Sequence, residues 1–450
     1  MNFESLLRGL IGIALIIGIA LLLSNNKKKV NWRLVLSGLG IQILFAIFIL
    51  KGDVLRNYFV VFGWPLDFFR GVSYFFVLVL NFTSEGANFV FGPLSKSQTA
   101  DGGIGFIFAF QVLPTIIFFA SLMSVLYHFG IMQKIVQGMA WVMLRLMGTS
   151  GAESLSCTAN IFVGQTEAPL MIKPFVKRMT NSELLSVMVG GMATIAGGVM
   201  AAYIQILSSS YAATHNIPLK EAQLLFATHL LGASFMAAPA ALLISKIIHP
   251  ETSEPDTKGT VKVKVEKISA NVIEAAAAGA SDGLMLALNV GGMLLAFIAI
   301  IAMVNYGLTA LGDLLQINSY LIQTFGNPLS MEFILGFVLQ GLAFGIGIPW
   351  HEALNFGSLI GTKIVLNEFV AYLNLSEMMK LNKLTDPKAI FMATYALCGF
   401  ANFSSIAIQI GGIGPMAPER KSDLAKLGIK AVIGGSLATL LTATLAGILF

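Results

Sequence analysis

The chain has 450 residues, 56% of them hydrophobic and only 11% charged, with a mean hydropathy of +0.81. A soluble chain of this length carries roughly a quarter charged residues, and an outer-membrane barrel alternates polar and apolar residues; this composition and its helix-length apolar runs exclude both. The net charge of +5 sits mostly in short loops between apolar segments, as the positive-inside rule expects of a polytopic helical membrane protein, and is no nucleic-acid footprint.

Residues 5–24 predict a first, retained span. Lys27, Lys28 and Lys29 close it like a stop-transfer flank, and Glu4 with Arg8 gives no basic leader region. A second span covers 34–50. Residues 51–98 mix Asp53, Arg56, Asp67 and Arg70 with Trp64, Phe68 and Phe69, which reads as interfacial helices. A third span covers 104–127, followed by an amphipathic helix over 131–147.

Residues 151–179 are too polar for a lipid-facing span. They carry Glu153, Ser154, Ser156, Thr158, Asn160, Gln165, Thr166 and Glu167, and Pro169 and Pro174 interrupt them. Irregular backbone at membrane depth is tolerated only where protein or a water-filled cavity covers it. The segment reads as a re-entrant hairpin with its tip at 164–168, and Lys173, Lys177 and Arg178 place its open end in the cytoplasm. The next span, 184–207, holds Gly190, Gly191, Gly197 and Gly198 around Thr194; glycines this dense loosen a helix and free its carbonyls.

A span over 223–248 leads to a hydrophilic loop, 250–269, then an Ala-rich helix, 271–279, and a span over 286–304. The odd pattern then returns. Residues 331–375 hold Pro349, Trp350, His351, Glu352, Lys363, Asn367 and Glu368; a Gly-punctuated span over 389–410 carries Gly399, Asn402, Ser404 and Ser405; and a last span reaches Phe450. The expected fold is an all-α polytopic membrane protein of about eight transmembrane helices plus two re-entrant hairpins.

Glu167 and Glu368 are the two carboxylates in apolar, helix-length surroundings, one in each half. Intramembrane ionisable residues are functional candidates by default, and two of them suggest a polar ligand held between two halves of a transporter. They are expected to face each other across an enclosed space. Gln165, Thr166 and Glu167 offer an amide, a hydroxyl and a carboxylate at consecutive positions, and an amide suits a nucleobase edge, with its adjacent donor and acceptor. The bland reading is a polar helix end that caps itself. Glu368 suits vicinal sugar hydroxyls; its bland reading is a salt bridge to Lys363. Asn402 and Ser405 share a helix face, which serves either a sugar or helix packing. Asn160, Thr194 and nearby carbonyls form a neutral oxygen set that suits a monovalent cation.

Other motifs fail. His351-Glu352-Ala353-Leu354-Asn355 begins like a zinc-protease helix, but Asn355 stands where the second histidine belongs. Residues 357–363 have the wrong spacing for a phosphate loop. Cys157 and Cys398 form no CxxC pair and read as buried small side chains.

The strings Glu153-Ser154, Gly164-Gln165-Thr166-Glu167-Ala168-Pro169, Ala193-Thr194-Ile195-Ala196-Gly197, Gly347-Ile348-Pro349-Trp350, Gly361-Thr362-Lys363, Asn367-Glu368-Phe369-Val370-Ala371-Tyr372 and Gly399-Phe400-Ala401-Asn402-Phe403-Ser404-Ser405 resemble the concentrative nucleoside transporter family, in order and spacing, from about residue 100 to the C-terminus. The resemblance implies a homotrimer with a trimerisation scaffold and an inverted-repeat transport domain that moves like an elevator. It implies that Gln165, Thr166, Glu167 and Val199 contact the base, that Glu368, Asn402 and Ser405 hold the ribose, and that Phe400 lines the pocket. Sodium is implied at Asn160, Val163, Thr194 and Ile195, with Thr194 standing where the family commonly has serine. No other cofactor is implied.

The implied division is 1–100 (N-terminal spans and interfacial helices), 101–150 (scaffold and amphipathic helices), 151–249 (first transport repeat), 250–330 (loop, scaffold and interfacial helices) and 331–450 (second transport repeat). The expectation is a sodium-coupled importer of uridine-like nucleosides in the bacterial inner membrane, not an enzyme. Its rivals are a proton-coupled carrier using Glu167 or Glu368, an intramembrane enzyme using His351 or Glu352, and a passive channel.

Overall fold

A computed structural model describes residues 3–96, 103, 106–259 and 269–450. Among these the regular structure is helical apart from one isolated bridge, Ser150 to Lys258. Eight helical segments among the described residues are long and apolar enough to cross a membrane.

α1 (Phe3–Leu22) and α2 (Trp32–Arg56) are joined by the basic turn, and the Asn31 side chain caps α2 at Leu34 N. α3 (Trp64–Phe91) is one 28-residue helix where interfacial pieces were expected. The charges that suggested an interface are matched between helices: Arg70 binds Asp53 at 2.9 and 2.6 Å, and Arg56 binds Asp67. α4 (Phe108–Gln111), α5 (Leu113–His128) and α6 (Ile131–Met147) follow, with Gly130 and Gly148 at positive φ on either side of α6. Gln98, Ile104 and the lysines at 262, 264 and 267 lie outside the described residues.

The first hairpin descends through α7 (Gly151–Ala159), turns at 160–167 and returns through a 3-10 turn and α8 (Lys173–Val176). Then come the two pieces of a broken helix, α9 (Asn181–Ala193) and α10 (Gly197–His215), and the span α11 (Leu219–Ile248). α12 (Val272–Leu314) runs unbroken for 43 residues, fusing the Ala-rich helix and the span expected separately. α13 (Asn318–Phe325) and α14 (Met331–Gly345) lead to a sharp bend of 119° before α15 (Trp350–Val365).

The second hairpin is α15 with α16 (Glu368–Lys380), its tip at Leu366 and Asn367. α17 (Pro387–Leu397) and α18 (Phe403–Ile413) form the second broken helix, and α19 (Lys421–Leu449) ends the chain. The order hairpin, broken helix, span thus occurs twice. α11 is buried along its apolar length, whereas α12 leaves most of its surface exposed. The core therefore lies around α9, α11 and α19.

Two devices fix the hairpins. At the second, the bend brings α14 against α15 at glycine contacts: a Cβ on Gly336 would sit 2.5 Å from the Leu354 carbonyl, and one on Gly357 2.9 Å from the Gly336 carbonyl. Small residues let helix backbones approach this closely. At the base of the first, Ser150 with Glu153 and Thr180 with Glu183 form capping boxes on α7 and α9. Lys246 from α11 joins them, its Nζ 2.8 Å from Glu153 Oε2, 3.2 Å from Glu251 Oε2 and 2.9 Å from Ser182 Oγ. Ser150 Oγ donates to Glu183 Oε1 at 2.6 Å, so both caps belong to one buried network. Beside it, burial first and Lys430 second hold the His249 imidazole below its ordinary pKa.

Gly357→Val should push α14 off α15 and cost about 1–3 kcal/mol, read as a lower midpoint of thermal unfolding in detergent. Lys246→Met should cost about 3–5 kcal/mol because it strands the buried Glu153 carboxylate, and adding Glu153→Met should restore part of that loss in the same melt.

Candidate functional site

The two helix breaks are in backbone contact. A Cβ on Gly399 would lie 2.7 Å from the Met192 carbonyl oxygen and 2.9 Å from that of Ala193. α9 stops because Thr194 is extended (φ −117°, ψ 169°), and α10 resumes with Ala196 as its N-cap. α17 stops before Cys398, and α18 resumes with Asn402 Oδ1 accepting from Ser405 N at 2.9 Å. Two carboxyl ends and two amino ends of half-helices thus meet in the interior. Each leaves groups that a continuous helix would have bonded.

Glu368, the first residue of α16, is 3% exposed. Its carboxylate accepts from Tyr203 Oη at 3.0 Å and from Asn402 Nδ2 at 3.1 Å, and the amino end of α16 favours its charge. Among the described residues it makes no ion pair. Lys363 instead donates to the Ala396 carbonyl at 2.8 Å and to Thr439 Oγ1 at 3.0 Å, so the salt-bridge reading of Glu368 falls.

Gln165 reaches this centre from the first hairpin. Its Nε2 donates to Ser405 Oγ at 3.0 Å, and its Oε1 accepts from Gln409 Nε2 at 3.0 Å. A connected path therefore runs from the first tip through Ser405 and Asn402 to Glu368 and Tyr203. Thr166 packs on α18, where a Cβ at Gly412 would meet its Cγ2 at 2.7 Å. Val199 is buried one turn before Tyr203, and Phe400 lies half-buried in the second break.

Glu167 departs from expectation. It is exposed, and its Oε2 accepts from Gly164 N within its own turn. The structure thus gives Glu167 the local, self-capping bonding, and among the described residues no hydrogen bond joins it to Glu368 or to the partners of Glu368. The buried groups close on one another instead, each supplying the other's hydrogen bonds.

The residues proposed for a cation fit one. Asn160 caps the end of α7 and its Nδ2 donates to Ser156 O at 3.0 Å, while its Oδ1 is buried and meets no donor among the described residues. Thr158 Oγ1, also buried, meets none either. Thr194 Oγ1 donates to Gly190 O at 2.8 Å, which leaves its lone pairs free. Val163 stands at the same tip and Ile195 in the same break. Uncharged oxygens of this kind suit a singly charged hard cation.

Glu352 is committed elsewhere. Its Oε1 accepts from Thr385 N at 2.8 Å and Asp386 N at 2.9 Å, tying down the start of α17. Glu153 likewise serves a cap and Lys246. Both cysteines are buried and free. Sequence reasoning missed Tyr203 and Gln409. Both were within reach: Tyr203 is four residues after Val199, and Gln409 is four after Ser405, each on the same helix face as its neighbour.

Comparison with known proteins identifies the family and the fold. The models "Na+ dependent nucleoside transporter N-terminus", "Nucleoside recognition" and "Na+ dependent nucleoside transporter C-terminus" match residues 11–94, 109–210 and 229–447. The chain is 44% identical to the uncharacterized transporter YutK of Bacillus subtilis, over 98% of this chain and 99% of that one. It is 40% identical to the nucleoside permease NupC of Helicobacter pylori, over 100% and 98%. The structure of CNTnw in an inward-facing substrate-bound state superposes with a TM-score of 0.84 at 41% identity, covering 99% of each chain; CNTnw variants are also known in outward-facing and intermediate states. The chain belongs to the Na+-dependent nucleoside transporter family, and is a multi-pass membrane protein that moves nucleosides across the bilayer and performs no catalysis on them.

Proposed function

We propose that the chain is a sodium-coupled symporter that imports uridine-like nucleosides through an elevator-like movement of a transport domain within a homotrimer. The observation that carries the reading is the hydrogen-bonded path from Gln165 through Ser405 and Asn402 to the buried Glu368. It joins both halves at a carboxylate whose only partners among the described residues are neutral donors, which ligand hydroxyls can replace.

In this reading a nucleoside exchanges these internal hydrogen bonds for its own. Glu368, Asn402 and Ser405 take the ribose. Gln165, Thr166 and Glu167 take the base edge, with Glu167 released from Gly164 N, and Val199 and Phe400 supply apolar surface. Asn160, Val163, Thr194 and Ile195 hold sodium, partly through main-chain oxygens. Asn160 and Gln165 are five residues apart on one tip, so ordering the tip around the cation also presents the base-binding groups. That proximity is the physical basis for coupling.

The bound cation also offsets the charge of Glu368, which lowers the cost of carrying it across the bilayer. The moving body comprises the repeats over 151–249 and 331–450, sliding against a scaffold that contains α5 and α12. The inward-facing, outward-facing and intermediate states of CNTnw support such a movement.

Uptake of labelled uridine into proteoliposomes should require an inward sodium gradient and persist when only the pH gradient is dissipated. Uptake driven by protons with sodium absent overturns the coupling in favour of a proton carrier. Glu368→Gln should weaken uridine binding on the order of 10- to 100-fold, the value of a hydrogen bond to a charged group, while leaving the thermal melt close to that of the unsubstituted chain. Binding assays with saturating sodium check it.

A further inference from the structure

Lys363 is 1% exposed and lies in the second hairpin, where an ammonium group without a carboxylate is costly. Among the described residues it forms no ion pair. Its two acceptors are the Ala396 carbonyl and Thr439 Oγ1. Ala396 belongs to the last turn of α17, just before the second break. The carbonyls of such a turn are unbonded by the helix and carry its partial negative charge. Lys363 therefore sets a full positive charge on the open carboxyl end of α17.

The first half has the same elements without the charge. α9 ends in the same way at Thr194, and the hairpin beside it offers Asn160, whose buried Oδ1 meets no donor among the described residues. Asn160 is the C-cap of α7; Lys363 lies in the last turn of α15. The span that follows each broken helix sends a hydroxyl to its hairpin: Ser234 Oγ of α11 donates to Ile161 O at 3.3 Å, and Thr439 of α19 accepts from Lys363. The two breaks also touch, Gly399 against Met192 and Ala193. Two helix carboxyl ends thus share one interior, and only one of them has a cation built in.

We propose that the Lys363 ammonium is a tethered cation, doing permanently for the break of the second half what the coupling ion does for the break of the first. One half is ordered only when an ion binds, and the other is always ordered. Lys363 is then a positioning residue. By fixing the end of α17 it sets the 398–402 turn and, through it, Asn402 and Ser405 at the start of α18. The inference rests on the cation reading of the first half given above.

The test uses the full chain in proteoliposomes, with Lys363→Ala and Lys363→Met. Lys363→Ala should lose roughly tenfold or more of its uridine uptake and regain a large part of it with methylammonium at tens of millimolar, a cation that the emptied stem volume can take, whereas the unsubstituted chain should not respond. Lys363→Met keeps the stem and its packing. It should stay monodisperse yet lose its discrimination between uridine and 2′,3′-dideoxyuridine, because Asn402 and Ser405 are no longer held. Unchanged uptake and discrimination in Lys363→Met overturn the proposal, as does a folded, inactive Lys363→Ala that methylammonium does not revive. If Lys363→Ala fails to fold, the discrimination in Lys363→Met decides. Uptake by the unsubstituted chain without sodium would sink the cation reading of the first half, a result separate from either variant's.

Discussion

A helix interrupted inside a membrane frees backbone groups that lipid cannot bond, and this constraint organises the whole molecule. α9 and α17 both stop in the interior, and α10 and α18 restart there. What is freed must be covered by protein or by a water-filled cavity. Asn402 answers at the start of α18, Asn367 at the start of α16 and Lys363 at the end of α17. α9, α10 and α17 are largely buried and α18 turns Ser405, Gln409 and Ile413 inward, because a surrounding shell of other helices supplies such answers. α12, which has no break, is free to leave most of its surface exposed.

The same constraint sorts the buried charges into two kinds. Glu153 and Lys246 have each other, and Glu352 has the backbone N–H groups at the head of α17. Those groups are fixed by the fold and hold hairpin bases and helix starts. Among the described residues, Glu368 has only the hydroxyl of Tyr203 and the amide of Asn402. Neutral donors stabilise a carboxylate without cancelling its charge, and the proposed function has a ligand exchange with them at this position. A transporter needs both kinds: a rigid frame that keeps its hairpins in place, and a centre whose bonds can be traded.

Much of this was legible in the residues. The density of polar side chains over 151–179 and 331–375 marked both hairpins, and glycine around Thr194 and Asn402 marked both breaks. Gln165, Glu368, Asn402 and Ser405, singled out one by one, form a single hydrogen-bonded group. Other features were hidden for identifiable reasons. α3 looked interfacial because its charges were read without their partners on α2. Glu167 looked like the twin of Glu368, but a residue at a tight tip can bond its own backbone, which depends on turn geometry and not on composition.

The sequence alone determined that the chain lives in a bilayer, where its helices break, and which residue types stand at the breaks, because hydropathy, glycine and proline act locally. Only the tertiary structure decided which charge meets which partner. Lys363 lies five residues from Glu368 yet bonds the end of α17, and Lys246 finds Glu153 from 93 positions away. Those choices depend on how helices distant in the chain are packed, and a one-dimensional pattern carries no distance between them.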